Sequence, residues 1–248
     1  GGSDDRLIAA SPLRRTLLWK WAPWAVAAVA TIAAIAVGFV SRGRPTVDSS
    51  VVTFEIPPLK NTGTGFVALS PDGRRLVLRV SEAGGQRRLW IRPLDSLTAQ
   101  PLAGTEEGEA PFWSPDGRFI GFFSGKLLKK LDLTTGTVQV LADVGIGTAN
   151  GGAWAARGDV IYSANLSGLS HAAADGGQRQ QLTTLDAGHH ETRHYWPSML
   201  PDGDHFLYVV TSDNADTRGL WVSSISDPRT KRRVLPDLSQ ATYAQGHL

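Results

Sequence analysis

The sequence predicts an all-β fold, a β-propeller of four-stranded blades, preceded by one transmembrane helix. Three observations carry this prediction. A tight-turn signature returns at a nearly constant interval. Each turn is followed by an unbroken apolar run. The stretch between two turns holds enough strand-like segments for one four-stranded sheet.

The turns are "LSPDG" ending at Gly73, "WSPDG" at Gly117, "WAARG" at Gly158 and "LPDG" at Gly203. Their glycines stand 44, 41 and 45 residues apart, the interval of a propeller blade. In the first turn Pro71 presets φ, Asp72 can bond nearby backbone N–H groups, and Gly73 accepts positive φ. The third turn has Ala155, Ala156 and Arg157 in place of Ser or Leu, Pro and Asp, so a longer or looser turn is expected there.

After each turn comes an apolar run: "RRLVLRV" (74–80), "RFIGFF" (118–123), "DVIYS" (159–163) and "HFLYVV" (205–210). Apolar residues on consecutive positions, without alternation, fit a strand covered on both faces, as a blade is by its two neighbours. A polar or glycine-rich break leads to a third run: 87–94, 126–133, 168–173 and 219–225. A second turn then precedes a short last strand, "AQPL", "VQVL", "RQQL" or "RRVL". With the strand that leads into the turn, each unit has four, and radially repeated four-stranded sheets make a propeller. Four units are present, and "ATYAQGHL" at the end reads as the start of a fifth, so the sequence is expected to be a fragment. "VVTFEI" (51–56) fits the outer strand that completes a final blade.

Upstream, residues 1–20 read as a cytoplasmic juxtamembrane segment, 21–40 as the span, 41–50 as a linker and 51–248 as the partial propeller. The segment "WAPWAVAAVATIAAIAVGFV" carries no charge over 20 residues. At a rise of 1.5 Å per residue it matches a hydrocarbon core of about 30 Å. Trp19, Trp21 and Trp24 gather at one end as an interfacial belt would. The competing readings are a cleaved signal peptide and a buried soluble helix. Arg6, Arg14, Arg15 and Lys20 precede the span while Arg42 and Arg44 follow it, which orients residues 41 onward outside the cytoplasm.

Composition excludes several classes. The chain has 248 residues, a formal charge of +2 and no cysteine, so disulfides, thiol nucleophiles and Cys-ligated zinc are absent. Basic residues come as scattered pairs such as Arg74-Arg75 and Lys129-Lys130, not as the gathered face that nucleic acid requires, so no nucleic-acid partner is expected. Partners are expected to be a protein or small ligand at a propeller face, and the membrane through residues 21–40. No cofactor is expected. Trp90, Trp113, Trp154 and Trp221 recur at related positions and read as packing between blades rather than a ligand cage. The sequon at Asn165 reads as a chance match.

The fragment "HETRH" (190–194) matches H-E-x-x-H, in which two histidines on one helix face hold zinc. Here the repeat places a loop at 186–193 and a strand at about 194–199. Gly188 and Pro197 also oppose a helix, so no catalytic or metal-binding residue is assigned. Glu191 and His194 remain as candidates for a channel-facing binding surface, because blade-leading loops and innermost strands tend to face the channel.

"ALSPDGRRLVLRV", "LWIRPLDSLTAQPLAGTEEGEAPFWSPDGRFIGFF" and "ETRHYWPSMLPDGDHFLYVV" resemble the TolB-type, WD40-like propeller of bacterial proteins. A basic segment, one span, a linker and such a propeller resemble the corresponding part of bacterial transmembrane serine/threonine protein kinases of acidobacterial type. That resemblance implies an extracytoplasmic sensor or scaffold joined to a kinase domain that precedes the span. The chain itself has no H-R-D, D-F-G or phosphate loop, and "GIGTANGG" (145–152) reads as an inter-blade loop. The alternatives are the propeller of a prolyl-oligopeptidase-type serine peptidase, for which no G-x-S-x-G is present, and a TolB-like envelope interaction module without an enzyme partner.

Overall fold

The computed structural model describes residues 63–82, 84–145, 150–163, 167–244 and 246–248, all within one compact unit, Pro57–Leu248. The predicted span at 21–40, its flanking segments, the strand at 51–56 and the sequon lie outside the described residues. Among the described residues no helix is long and apolar enough to cross a membrane.

Four antiparallel sheets, each of four strands in sequential order, fill the described chain. The first holds β1 (Gly63–Leu69), β2 (Arg75–Ser81), β3 (Arg87–Pro93) and β4 (Gln100–Pro101). The second holds β5 (Gly108–Trp113), β6 (Phe119–Ser124), β7 (Leu127–Asp132) and β8 (Val138–Asp143). The third holds β9 (Gly152–Trp154), β10 (Asp159–Ser163), β11 (Leu169–Ala173) and β12 (Gln180–Gln181). The fourth holds β13 (Glu191–Met199), β14 (His205–Ser212), β15 (Gly219–Ser224) and β16 (Arg232–Leu235). The first strands neighbour one another in the order β1, β5, β9, β13, so they form the inner wall. The sheets do not close into a ring; the described blades make an open arc.

The apolar runs explain how blades stack. On β6, Ile120 and Phe122 join Val77 and Leu89 of the first blade, while Phe123 joins Trp154, Val160 and Tyr162 of the third. On β10, Val160 and Tyr162 face back, and Ile161 faces forward to Phe206, Tyr208 and Val210 on β14. Alternate residues of a central strand thus serve two seams, which is why the run shows no polar alternation.

The turns behave as their chemistry dictates. Ser114 Oγ donates to Asp116 at 2.6 Å and accepts from the Phe119 amide at 2.8 Å, while Gly117 at φ 68° donates its N–H to Ser114 O at 2.9 Å. The first turn repeats this around Ser70 and Asp72. The third turn is no longer than the others: Gly158 N–H still bonds Ala155 O at 3.0 Å, and the Ala155 N–H bonds Asp159 O at 2.7 Å. What it lacks is the Ser/Asp side-chain pair, so backbone bonds alone hold it.

Turns also staple one blade to the next. Arg75 reaches from the first blade to Gly117 O at 2.9 Å and lies over the Trp113 ring at 4.9 Å. Lys130 donates to Ala174 O at 2.5 Å, and Arg157 pairs with Asp204 at 3.7 Å. "ATYAQGHL", expected to begin a fifth unit, forms no strand among the described residues. Ala244 and His247 bond each other, and Ala241 packs on the fourth sheet.

Candidate functional site

Two regions combine accessible surface with unusual backbone or charge. The first is the inner wall. A cleft of about 550 Å³ is lined by all four inner strands, including Phe66, Phe112, Trp154 and Trp196, and by Gln240 and Thr242 from the C-terminal segment. Its lining residues are mostly apolar or aromatic by type, while the surface they present is about half polar. Phe66, Val67 and Leu69 are 44%, 54% and 54% exposed, a concentration of uncovered apolar area on one short strand.

Each inner wall also carries a left-handed residue at the same place, four residues before its turn begins. These are Phe66 (φ 29°), Ala110 (φ 45°), Gly151 (φ 93°) and Trp196 (φ 52°). In the first, second and fourth blades the ladder slips at this point, between Gly65 and Val67, Glu109 and Phe112, and Tyr195 and Ser198. These are β-bulges, which bend a strand and re-aim its side chains. A non-glycine residue in this region costs on the order of 1 kcal/mol or more. The cost recurs at the wall that lines the cleft. One return is visible in the last blade, where the Trp196 amide bonds Asn150 O across the seam at 2.9 Å. Only Gly151 gave a hint in the sequence, since Phe, Ala and Trp carry no signal for positive φ.

The tryptophans divide by role. Trp113 is 9% exposed and its Nε1 donates to Ala68 O of the first blade at 3.0 Å, while Trp154 stacks on Phe119 at 5.7 Å. Both are inter-blade packing residues, and both also reach the cleft wall. Trp221 donates to Thr217 O within its own blade at 2.8 Å, with the Lys231 ammonium 5.2 Å from its ring centre.

The second region surrounds "HETRH". Asp186 caps a single 3-10 turn, Ala187–His189, and His190 ends it at φ 54°. The strand begins at Glu191, three residues earlier than expected, because β14 runs on to Ser212, which pairs with Glu191. The two histidines of the motif therefore lie on a turn and a strand, and the helical face that H-E-x-x-H requires is not formed.

Glu191 and His194 are brought together, but in the seam between the third and fourth blades. The Glu191 side chain is 1% exposed and that of His194 is fully buried. Neither lines the inner-strand cleft. Glu191 lines a cleft of about 360 Å³ with Trp221 and Asn214, and His194 lines a neighbouring one.

Their hydrogen bonds form a directed chain. The Leu169 amide donates to Thr183 Oγ1 at 2.8 Å, and Thr183 meets His194 Nδ1 at 2.8 Å. His194 Nε2 lies 3.0 Å from Glu191 Oε2, which also accepts from the Asp186 amide at 2.7 Å. Lys231 Nζ holds Glu191 Oε1 at 2.5 Å. A carboxylate only accepts, so His194 carries its proton on Nε2 and Nδ1 accepts from Thr183.

Burial alone would push the Glu191 carboxyl up. Bonds from His194, Lys231 and the Asp186 amide overcome that and hold it at about 2. Burial pulls the His194 imidazole below its ordinary value, with Glu191 opposing only in part. The pair is therefore neutral imidazole and ionised carboxylate, and the fully engaged chain fastens β13 to the preceding blade.

The chain matches no family model, and no curated protein is similar to it in sequence. Solved structures resemble it in fold. A putative TolB from Agrobacterium tumefaciens aligns with TM-score 0.52 at 16% identity, over 63% of this chain and 59% of that one. TolB from Acinetobacter baumannii aligns with TM-score 0.54 at 19% identity, over 70% and 43%. An oligogalacturonate lyase from Vibrio parahaemolyticus aligns with TM-score 0.53 at 17% identity, over 68% and 51%. The matched region thus spans about half the length of each, and the fold is that of a TolB-like β-propeller.

Proposed function

We propose that this chain is a membrane-tethered, extracytoplasmic binding propeller that takes a protein or small ligand on its inner-strand cleft and serves as sensor or scaffold for a bacterial transmembrane serine/threonine kinase. The observation that carries the binding role is the cleft itself. All four inner strands line it, the first with exposed Phe66, Val67 and Leu69, and a left-handed residue recurs at the same place in each blade. An accessible cleft of mixed polar and apolar surface with recurring backbone strain supports recognition better than mere packing does. The uncharged segment at 21–40 supports the tether, and the basic residues before it support the orientation. The kinase link rests on the resemblance in segment order. The lyase likeness, at 17% identity, concerns the fold and brings none of that enzyme's activity.

The absence of cysteine makes a clean test possible. Single cysteines replace Ser3, Leu97 or Ser198, and intact bacteria are treated with a membrane-impermeant maleimide. Leu97 is 83% exposed, and Ser198 lines the cleft. The expected result is labelling of Leu97→Cys in intact cells and of Ser3→Cys only after lysis. Ser198→Cys is expected to label more slowly in cells than in purified protein, as an occupied cleft requires. Labelling of Ser3→Cys in intact cells refutes the orientation. Equal Ser198→Cys rates in both settings refute the binding role.

A further inference from the structure

We infer a second ligand site, distinct from the inner-strand cleft, that takes a small carboxylate between the third and fourth blades. The cleft there has a volume of about 640 Å³ and shares no lining residue with the inner-strand cleft. Its walls include Thr183, Asp186, His194, Tyr208, Arg229 and Lys231.

The argument starts from an unanswered donor. Tyr208 is fully buried on β14, and its hydroxyl has no hydrogen-bond partner among the described residues. A buried hydroxyl without a partner has given up its bonds to water for nothing in return, so it calls for an explanation. The ring is held by Phe206 at 5.6 Å and by the His194 ring, edge-on, at 5.1 Å. It cannot turn away without breaking that packing. Burial, with the Glu191 carboxylate adding to it, pushes the phenol up, so it remains a donor at neutral pH.

The neighbouring groups narrow the chemistry. His194 is saturated, bonded at one nitrogen to Thr183 and at the other to Glu191. Both Asp186 oxygens are engaged by His189, at 3.2 Å from its amide and 2.7 Å from its ring. The Arg229 guanidinium is exposed and pairs with no carboxylate among the described residues. The Lys231 ammonium spends one bond on Glu191 and has donors to spare. Three donors of this cleft therefore have capacity to spare: a phenol, a guanidinium and part of an ammonium. A carboxylate is the common ligand group that accepts from all three.

The test uses the full chain in detergent, titrated calorimetrically with acetate, succinate, citrate and a hexuronate, and with succinamide as the uncharged counterpart. Saturable binding of at least one carboxylate is expected, with succinamide silent. Tyr208→Phe keeps the ring and deletes only the unpartnered hydroxyl, so circular dichroism and melting temperature should match or exceed wild type. Its affinity for the carboxylate should fall on the order of tenfold, as loss of a charge-assisted bond implies. Arg229→Gln, at an exposed position, should weaken binding similarly without touching the buried chain. No saturable binding by any carboxylate overturns the proposal. So does equal binding of succinamide, or unchanged affinity in Tyr208→Phe. Because the two clefts share no residue, either result leaves the reading of the inner-strand cleft to its own test.

Discussion

Replacing Glu191 by Gln removes the charge at the centre of the buried chain while nearly preserving its volume. Its carboxyl titrates near 4.5 in an unfolded chain and at about 2 in the fold. At about 1.4 kcal/mol per pH unit, that difference places on the order of 3 kcal/mol of stability in the ionised form. Because the folded value is the lower one, this contribution is fully present above pH 4.5 and is lost as pH falls towards 2. His194 acts in the same direction at milder acidity. Its value is lowered by burial, so the fold favours neutral imidazole, and stability present above pH 6.5 declines as pH falls through the lower folded value. The assay is urea denaturation of Pro57–Leu248 at a series of pH values from 7 down to 3. Wild type should lose stability steeply across this range. Glu191→Gln should be less stable at pH 7 by about 3 kcal/mol and should lose less stability than wild type between pH 5 and 3, the residual slope coming from Asp132, also held at about 2, and from the other lowered aspartates. Equal stability at pH 7, or an unchanged slope, would refute the claim that the network fastens this seam.

Three further substitutions probe the seams and turns. The Phe112 ring lies between Gly121 of its own sheet and Gly152 of the next blade, and a Cβ on Gly152 would stand 2.7 Å from Phe112 Cζ. Gly152→Ala should therefore cost about 1–3 kcal/mol by denaturation, and pairing it with Phe112→Leu should recover part of the loss, a sign that independent sites would not show. Trp113→Phe removes the bond to Ala68 O and should cost about 1 kcal/mol, lowering the melting temperature by roughly 2–4 °C; no change would remove this bond from the account of how the first two blades join. Ser114→Ala leaves the half-buried Phe119 amide without its acceptor at the turn and should cost about 1 kcal/mol, whereas Arg157→Ala in the third turn, which has no such pair, should change denaturation by less than about 0.5 kcal/mol.

The blade plan was legible because it rests on local chemistry. Ser, Pro, Asp and Gly specify a turn wherever they fall in this order, and consecutive apolar residues specify a strand with two covered faces. The turns at Gly73 and Gly117, with all four residues, the turn at Gly203, with Pro, Asp and Gly, and the strands that follow them stand where those residues put them, and in the third turn Gly158 alone of the four marked the place. The strand leading into the last turn was placed too late, since its start depends on Ser212, a residue on the partner strand. The inner-wall bulges were not legible. Phe66, Ala110 and Trp196 are poor candidates for a left-handed backbone by residue type, and only the packing of neighbouring inner strands sets them there. The motif at 190–194 shows the same limit from the other side. The repeat register set its metal-site reading aside and left Glu191 and His194 as channel-facing candidates, whereas contacts with Thr183, Tyr208 and Lys231, distant in sequence or on other strands, bury them in the seam. Tyr208 reads in the sequence as one apolar residue among several, and its unanswered hydroxyl appears only when the blades are stacked.

The most direct test of the central claim, that the inner-strand cleft is the binding surface, is photocrosslinking in living bacteria. A benzophenone amino acid is placed at Phe66 or Trp196 in the cleft and, as a control, at the exposed Leu97 outside it. The account predicts one discrete adduct from both cleft positions and none from Leu97. Adducts of equal yield at all three positions, or at Leu97 alone, would contradict it.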